Sequence, residues 1–314
     1  MNLTLGAVFM VLEQGLVYAV MAVGVYLSSR VLDFPDLTVD GSFPMGAAIA
    51  ARLVIGGVNP LIGTLCAPIA GFFAGAATGV LNTKLRISNL LAGILTMTAL
   101  YSVNLRVMGR ANVPLLRTDT VFTVLHRMGI PPSVSAILLF CTVAVIVKFA
   151  VDIFLRTEFG LALRATGDNQ AMIRSLGVNT DSMKIVGIGI ANALVAFSGA
   201  LVAQYQGFAD IGMGIGTVVA GLASVIIGEA IIPPRSVGMG TLGAIVGSVV
   251  YRLAVFLALR LGFAPTDLKL VTALLVIAAL AGKSIQRGVG IERRETVQHA
   301  GTKLCSQKLP IRHG

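Results

Sequence analysis

The amino-acid sequence predicts an all-α membrane protein that crosses the bilayer many times. Hydrophobic residues make up 56% of the 314 residues, charged residues make up only 12%, and the mean hydropathy is +0.89. Soluble globular chains carry about a quarter charged residues, whereas half that share among long apolar runs is typical of polytopic membrane proteins. One membrane domain is expected over residues 1–288, followed by a disordered cytoplasmic tail over 289–314.

The apolar runs predict about eight to nine membrane helices. The second run is about 16 residues long, too short for a full span of roughly 20 residues. The first has no basic start and no small-residue cleavage site, so it is expected to remain as a helix. The runs lie near residues 4–28, 41–56, 60–82, 89–108, 133–155, 183–205, 212–232, 238–261 and 266–286.

The distribution of Lys and Arg predicts the orientation of these helices. Cytoplasmic loops of membrane proteins are enriched in both residue types. With nine spans and a cytoplasmic C-terminus, most of the basic residues fall on the inner side. The N-terminus is then outside, and the polar segment 156–182 faces the cytoplasm.

Two stretches of the chain echo each other. "IGTLCAPIAGFFAG" (62–75) resembles "MGTLGAIVGSVVYR" (239–252), and a glycine-rich, discontinuous segment precedes each of them. The two copies fall on opposite orientations in the predicted topology. Inverted repeats with interrupted helices at matching places are typical of a translocation pathway at the repeat interface. Chance similarity between Gly- and Ala-rich membrane helices is the alternative.

Five polar residues are candidates for lining a translocation pathway. Ionisable residues within membrane spans are costly and normally face a bundle interior or a wet cavity. Asp40 begins the short second helix beside Thr38 and Ser42. Glu13 and Glu229 lie deeper in their runs without a basic partner one turn away. For Asp40 and Glu229, hydrogen bonds that only stabilise the bundle are the alternative.

Other polar residues of the spans are expected to have structural roles. Lys148 and Asp152, four residues apart on one helix, should form an ion pair. Asn192 and Gln204 should bond to neighbouring helices. Arg252 should pair with an acid or reach toward a membrane interface.

The sequence contains no motif that is typical of an enzyme or of a nucleic-acid-binding protein. "LAGKS" (280–284) lacks the first glycine of a phosphate-binding loop, and "GMGIG" (212–216) lacks the last glycine of a dinucleotide-binding one. The three cysteines show neither disulfide nor metal spacing. The basic residues have no interleaved aromatic residues on which bases could stack. The chain is therefore expected to be non-catalytic, with no metal or cofactor of its own.

The stretch "RATGDNQAMIRSLGVNT" (164–180) is polar between long apolar runs. Asp168 is expected to cap the helix that follows by accepting backbone N–H bonds, and Gly177 suits a left-handed stop at its end. About two turns of helix are too short to be stable alone in water. This helix therefore needs a surface, on another protein or on its own bundle. The residues expected on its free side are Ala171, Met172, Ser175 and Leu176.

The longer stretch "RTEFGLALRATGDNQAMIRSLGVNT" resembles the cytoplasmic coupling loop of ABC importer permeases of the branched-chain amino acid and sugar type. Segments 12–32 and 32–51 resemble more narrowly the tryptophan/tyrosine-type uptake permeases. The loop pattern of the family, T-x-F-G-x-x-x-R-A-x-G-x-N-x-x-A-x-x-x-G-I-N, is matched at Thr157, Phe159, Gly160, Arg164, Ala165, Gly167 and Asn169, and Gly177 and Asn179 match its last Gly and Asn one residue further along the chain.

The resemblance implies a permease of a bacterial plasma (inner) membrane, of which two copies form the pore. Each copy would sit on a separate ATPase subunit that binds ATP and Mg²⁺, and a periplasmic or lipoprotein substrate-binding protein would deliver an amino acid or similar solute. A stand-alone ion-coupled secondary transporter, using Glu13, Asp40 or Glu229, is the alternative. The residues implied to couple to the ATPase are Arg164, Gly167, Asp168, Asn169, Gln170, Ala171, Met172 and Gly177.

Overall fold

The computed structural model describes residues 2–116, 118–123, 132–263, 267, 270–274 and 276–277. The described chain is almost entirely helical, with two short strands, β1 (Asn112–Pro114) and β2 (Phe208–Asp210). The ten α-helices of at least six residues are α1 (Asn2–Tyr26), α2 (Val39–Ile55), α3 (Pro60–Thr83), α4 (Asn89–Met108), α5 (Pro132–Phe154), α6 (Glu158–Asp168), α7 (Gln170–Ser175), α8 (Thr180–Gln206), α9 (Thr217–Ile231) and α10 (Val237–Arg260).

The predicted fold class is confirmed. Within the described residues, seven helical stretches are long and apolar enough to cross a membrane. The short second run forms α2, which has 17 residues and lies outside those seven. The last predicted run, 266–286, lies mostly outside the described residues, and so does the predicted tail.

Of the two glycine-rich segments predicted to be discontinuous, 209–230 is interrupted, whereas 36–57 contains one continuous helix, α2. Helix α1 continues into a π-helical turn (Leu27–Val31), after which Asp33 has a positive φ of 50°. Before α9 the chain forms a 3₁₀ turn (Ile211–Gly214) and a left-handed residue, Gly216, with φ 87°. Each of the two echoing regions thus folds as a short helix followed by a long one, α2 with α3 and α9 with α10. Their relation by an inverted axis stays a prediction.

Helix α8 lies at the centre of the bundle and packs against α1, α2 and α3. The contacts are close because small residues line them. A Cβ atom on Gly46 would lie 1.8 Å from the backbone oxygen of Ala196, and one on Gly71 would lie 2.4 Å from that of Asn192. A larger residue at either position would force the helices apart.

The bundle has two distinguishable ends. Helices α6 and α7 lie at one end, which we call the coupling end, beside the π-helical turn. At the opposite end β1 pairs antiparallel with β2, and Asn112 lies opposite Asp210. Because α9 starts just after β2 and runs toward residue 231, it connects the opposite end with the coupling end.

Candidate functional site

The coupling segment, residues 157–180, folds as two short helices with defined caps. The Thr157 hydroxyl accepts the Gly160 N–H at 3.2 Å and starts α6. Asn169 then adopts an extended conformation, and its Oδ1 accepts the Met172 N–H at 3.0 Å to start α7. Gly177 follows the end of α7 and has a positive φ of 86°, as predicted.

The prediction that Asp168 caps the second helix is wrong. Asp168 is the last residue of α6, and the cap is its neighbour Asn169. The reason is that α6 includes Asp168, so the extended residue that separates the two helices is Asn169. An N-cap side chain must belong to such a non-helical residue.

One side of α7 presents apolar side chains to the surroundings. Met172 is 57% exposed and Leu176 is 68% exposed, whereas Ile173 is 8% exposed and anchors the helix. Ala171 and Ser175 are also exposed. The predicted free side of this helix is confirmed.

The coupling segment is firmly attached to the rest of the bundle. The Gln170 amide nitrogen donates to the Thr180 hydroxyl at 3.3 Å, and Arg174 forms an ion pair with Asp181 at 3.1 Å. Gly167 lies directly on the π-helical turn, because a Cβ atom there would be 2.1 Å from the Val31 carbonyl oxygen. Displacement of α6 must therefore move the turn as well.

A polar cavity of about 290 Å³ lies between the coupling segment and α9. Arg164 and Asp168 line it from α6, and Tyr26 and Arg30 line it from the end of α1 and the turn. Glu229 completes the wall, with its carboxylate 2.7 Å from Arg30 Nε and 2.9 Å from Nη2. Sequence reasoning found no same-helix partner for Glu229; its partner comes from a residue 199 positions away.

Asp40 lies at the other end of α9 and caps it. Its Oδ1 accepts the Val218 N–H at 2.8 Å and the Thr217 hydroxyl at 2.9 Å, and its Oδ2 accepts the Gly216 N–H at 3.1 Å. Eleven residues separate Val218 from Glu229, which is about 16 Å along a helix axis. Asp40 and Glu229 are therefore not parts of one site.

The three candidate acids line three different cavities. Asp40 faces a cleft of about 300 Å³ together with Tyr101 and Asn104. Glu13 accepts a hydrogen bond from the Tyr205 hydroxyl at 2.6 Å, beside a cavity of about 410 Å³. Glu229 faces the polar cavity at the coupling end.

Thr38 and Ser42 are both fully buried. The Thr38 hydroxyl bonds to the Thr78 hydroxyl at 2.7 Å. The Ser42 hydroxyl has no hydrogen-bond partner among the described residues. The bond between Thr38 and Thr78 therefore connects the start of α2 to α3.

Sequence reasoning missed Asp36, a buried acid within the bundle. The Asp36 carboxylate accepts the Thr38 N–H at 2.8 Å and the Asn192 side-chain amide at 2.6 Å. The signal was present in "DFPDLTVD" (33–40), where an acid lies between two other acids, but a polar stretch between apolar runs indicated an exposed loop. Residues 32–38 instead fold back between the helices.

The other predicted polar contacts are confirmed for Lys148, Asp152, Asn192 and Gln204, whereas one of the two alternatives predicted for Arg252, pairing with an acid, is not found within the described residues. Lys148 and Asp152 form an ion pair, and Gln204 donates to the Thr64 hydroxyl at 2.6 Å. Arg252, however, has no acidic partner in the described part of the chain. Its guanidinium carbon lies 3.6 Å from the centre of the Tyr18 ring.

The similarity of this chain to known proteins extends over most of its length. Residues 7–281 match the family model described as branched-chain amino acid transport system / permease component. The chain is 44% identical over 277 residues to a tyrosine transport system permease protein of Clostridioides difficile (strain R20291), covering 88% of this chain and 91% of the relative. It is 27% identical over 275 residues to a ribose import permease protein of Escherichia coli (strain K12), covering 85% and 79%.

A solved structure shares the fold. It is "PsaBC from Streptococcus pneumoniae in complex with Fab", with a TM-score of 0.52 and 14% sequence identity, covering 89% of this chain and 91% of that one. At this identity the likeness concerns the arrangement of the helices alone.

Proposed function

We infer, since the chain belongs to the permease-component family of branched-chain amino acid transport systems, that it is the transmembrane permease subunit of an ATP-binding cassette importer. The chain is a multi-pass membrane protein with seven apolar spans in its described part. We place it in a bacterial plasma (inner) membrane with a cytoplasmic C-terminus. It forms the translocation pathway, and ATP with Mg²⁺ is bound and hydrolysed by a partner subunit.

The exposed side of α7 is the observation that carries this proposal. Six residues cannot form a stable helix alone in water, yet α7 is capped at both ends and presents Met172 and Leu176 outward. Apolar side chains on an anchored, protruding helix suit a groove on another protein. An ATPase subunit beneath the coupling end would provide that groove.

Movement of α7 has a direct physical route to the membrane helices. Gly167 lies on the π-helical turn, and Arg30 of that turn is paired with Glu229 at the end of α9. The other end of α9 is capped by Asp40. ATP-driven closure of the ATPase pair would therefore shift α9 as a rigid body and switch the pore between two states.

The substrate is proposed to be an amino acid, of the aromatic type that the most similar of these relatives names. A periplasmic or lipoprotein binding protein would deliver it, and a second copy of the chain would complete the pore within the lipid bilayer. The ion-coupled alternative finds no support among the similar proteins. No role with nucleic acid is proposed.

Reconstitution tests the proposal. The chain is inserted into proteoliposomes with its ATPase and its binding protein, and uptake of labelled L-tyrosine is measured with ATP inside and then without ATP. Uptake is expected only with ATP and both partners. Uptake by the chain alone, driven by a proton or sodium gradient, would refute the proposal and favour the ion-coupled transporter.

A further inference from the structure

A cavity of about 400 Å³ lies between α1, the start of α9 and α10. Tyr18, Tyr251 and Arg252 supply its aromatic and cationic part. Binding sites for small molecules have this size and combine apolar walls with a few placed polar groups. The apolar part of the wall comes from Met213, Ile215, Val219 and Ala220.

Arg252 is the unusual member of this wall. It lies within the span Val237–Arg260, where a charged side chain without a partner is costly. No carboxylate of the described residues pairs with it, and its Nε is buried without any hydrogen-bond partner. The energetic cost of such a group is offset once an anion binds to it.

The guanidinium of Arg252 makes a cation–π contact with Tyr18, because its Cζ lies 3.6 Å from the centre of the ring. The terminal N–H groups of an arginine can bind a carboxylate with two parallel hydrogen bonds. Because Arg252 also lines the cavity, its terminal nitrogens are the donors that a carboxylate in the cavity would meet.

Among the described residues, Arg252 supplies the one charge in the wall of this cavity. The Asp40 carboxylate is hydrogen-bonded to Gly216 and Thr217 of the wall but does not itself line the cavity. The tyrosine rings and the aliphatic residues suit an apolar or aromatic side chain.

We propose that Arg252 binds the α-carboxylate of the transported amino acid during its passage. The side chain of the amino acid then packs against the apolar wall near Tyr251. This inference rests on the proposed function and adds the substrate class, an aromatic amino acid with a free carboxylate, and the residue that recognises it. Arg252 is thus a specificity-determining residue of the pathway.

Transport by substituted complexes provides the first test. Arg252→Gln removes the charge, Arg252→Lys keeps the charge without the planar pair of donors, and Arg260→Gln is the matched control on the same helix. Losing a charge-assisted pair of bonds should lower L-tyrosine uptake by about tenfold or more. Uptake and basal ATP hydrolysis by the Arg260→Gln complex should both equal those of the unsubstituted complex.

Direct binding provides a readout that a structural role would not change. Saturation-transfer NMR on the solubilised complex, without the binding protein, compares L-tyrosine with tyramine, which has the same ring and ammonium but no carboxylate. A signal for L-tyrosine that is weak for tyramine, and that is lost in Arg252→Gln, is expected. Equal signals for the two compounds would overturn the carboxylate assignment.

The remaining outcomes are also decisive. If the Arg252→Gln complex does not assemble, Arg252→Lys is used, and wild-type uptake by that variant overturns the inference. Failure of both variants to assemble would show a structural role and would also overturn it. Uptake that depends on ATP but not on Arg252 refutes only this inference, whereas ATP-independent uptake refutes the proposed function.

Discussion

Replacing the exposed apolar side chains of α7 should detach the permease from its ATPase without unfolding it. Burying a Met or Leu side chain completely is worth about 1.5–3 kcal/mol. Met172 is 57% exposed and Leu176 is 68% exposed, so docking that covers both should gain about 2–4 kcal/mol. The double variant Met172→Ser/Leu176→Ser should therefore bind the ATPase about 30- to 700-fold more weakly.

The measurement is the affinity of the purified ATPase for the permease in nanodiscs, by biolayer interferometry. Leu116→Ser is the matched control, because Leu116 is 86% exposed and lies near β1, at the opposite end of the bundle. Its affinity for the ATPase should be unchanged, and the thermal midpoints of both variants should match that of the original chain. An affinity of the double variant within about twofold of the original would refute the assignment of α7 as the docking helix.

Three further substitutions test the route from α7 to the pore. Gly167→Leu would place a side chain against Val31, because even a Cβ atom on residue 167 would lie 2.1 Å from the Val31 carbonyl oxygen. Uptake should be lost while the ATPase still binds and hydrolyses ATP. Normal uptake would contradict the coupling route. Asp40→Ala removes the cap of α9, which should cost about 0.5–2 kcal/mol of stability, as measured by thermal unfolding. The assembled complex should also show lower uptake in a flux assay. Loss of the complex itself would favour a purely structural role for Asp40. The Glu229 side chain is 8% exposed and pairs with Arg30, so Arg30→Ala alone should reduce the thermal midpoint more than the double variant Arg30→Ala/Glu229→Ala does, because it removes the guanidinium that balances a buried carboxylate. Additive effects would show that the pair is not coupled.

Local patterns were sufficient to predict the helices but not the contacts between them. The apolar runs at 60–82 and 89–108 correspond closely to α3 and α4 because a membrane span needs a minimum number of consecutive apolar residues. Gly177 was predictable because few residues adopt a positive φ without strain.

The errors concern the cap of α7 and the burial of Asp36, which neighbouring residues in the sequence do not determine. Asp168 and Asn169 are both good capping residues, and only the length of α6, set by its packing on the π-helical turn, selects the second. Asp36 was missed because its burial depends on Asn192, 156 positions away. The pair Arg30 and Glu229 is likewise invisible to any local window.

The two ends of α9 are held by residues that are synthesised long before it. Asp40 precedes its partner Val218 by 178 positions, and Arg30 precedes Glu229 by 199. During insertion by the translocon, the first half of the chain therefore carries an acid and a base whose counterparts have not yet left the ribosome. A nascent chain that stops before α9 should therefore expose both charges to the surroundings of an incomplete bundle, where such groups are costly.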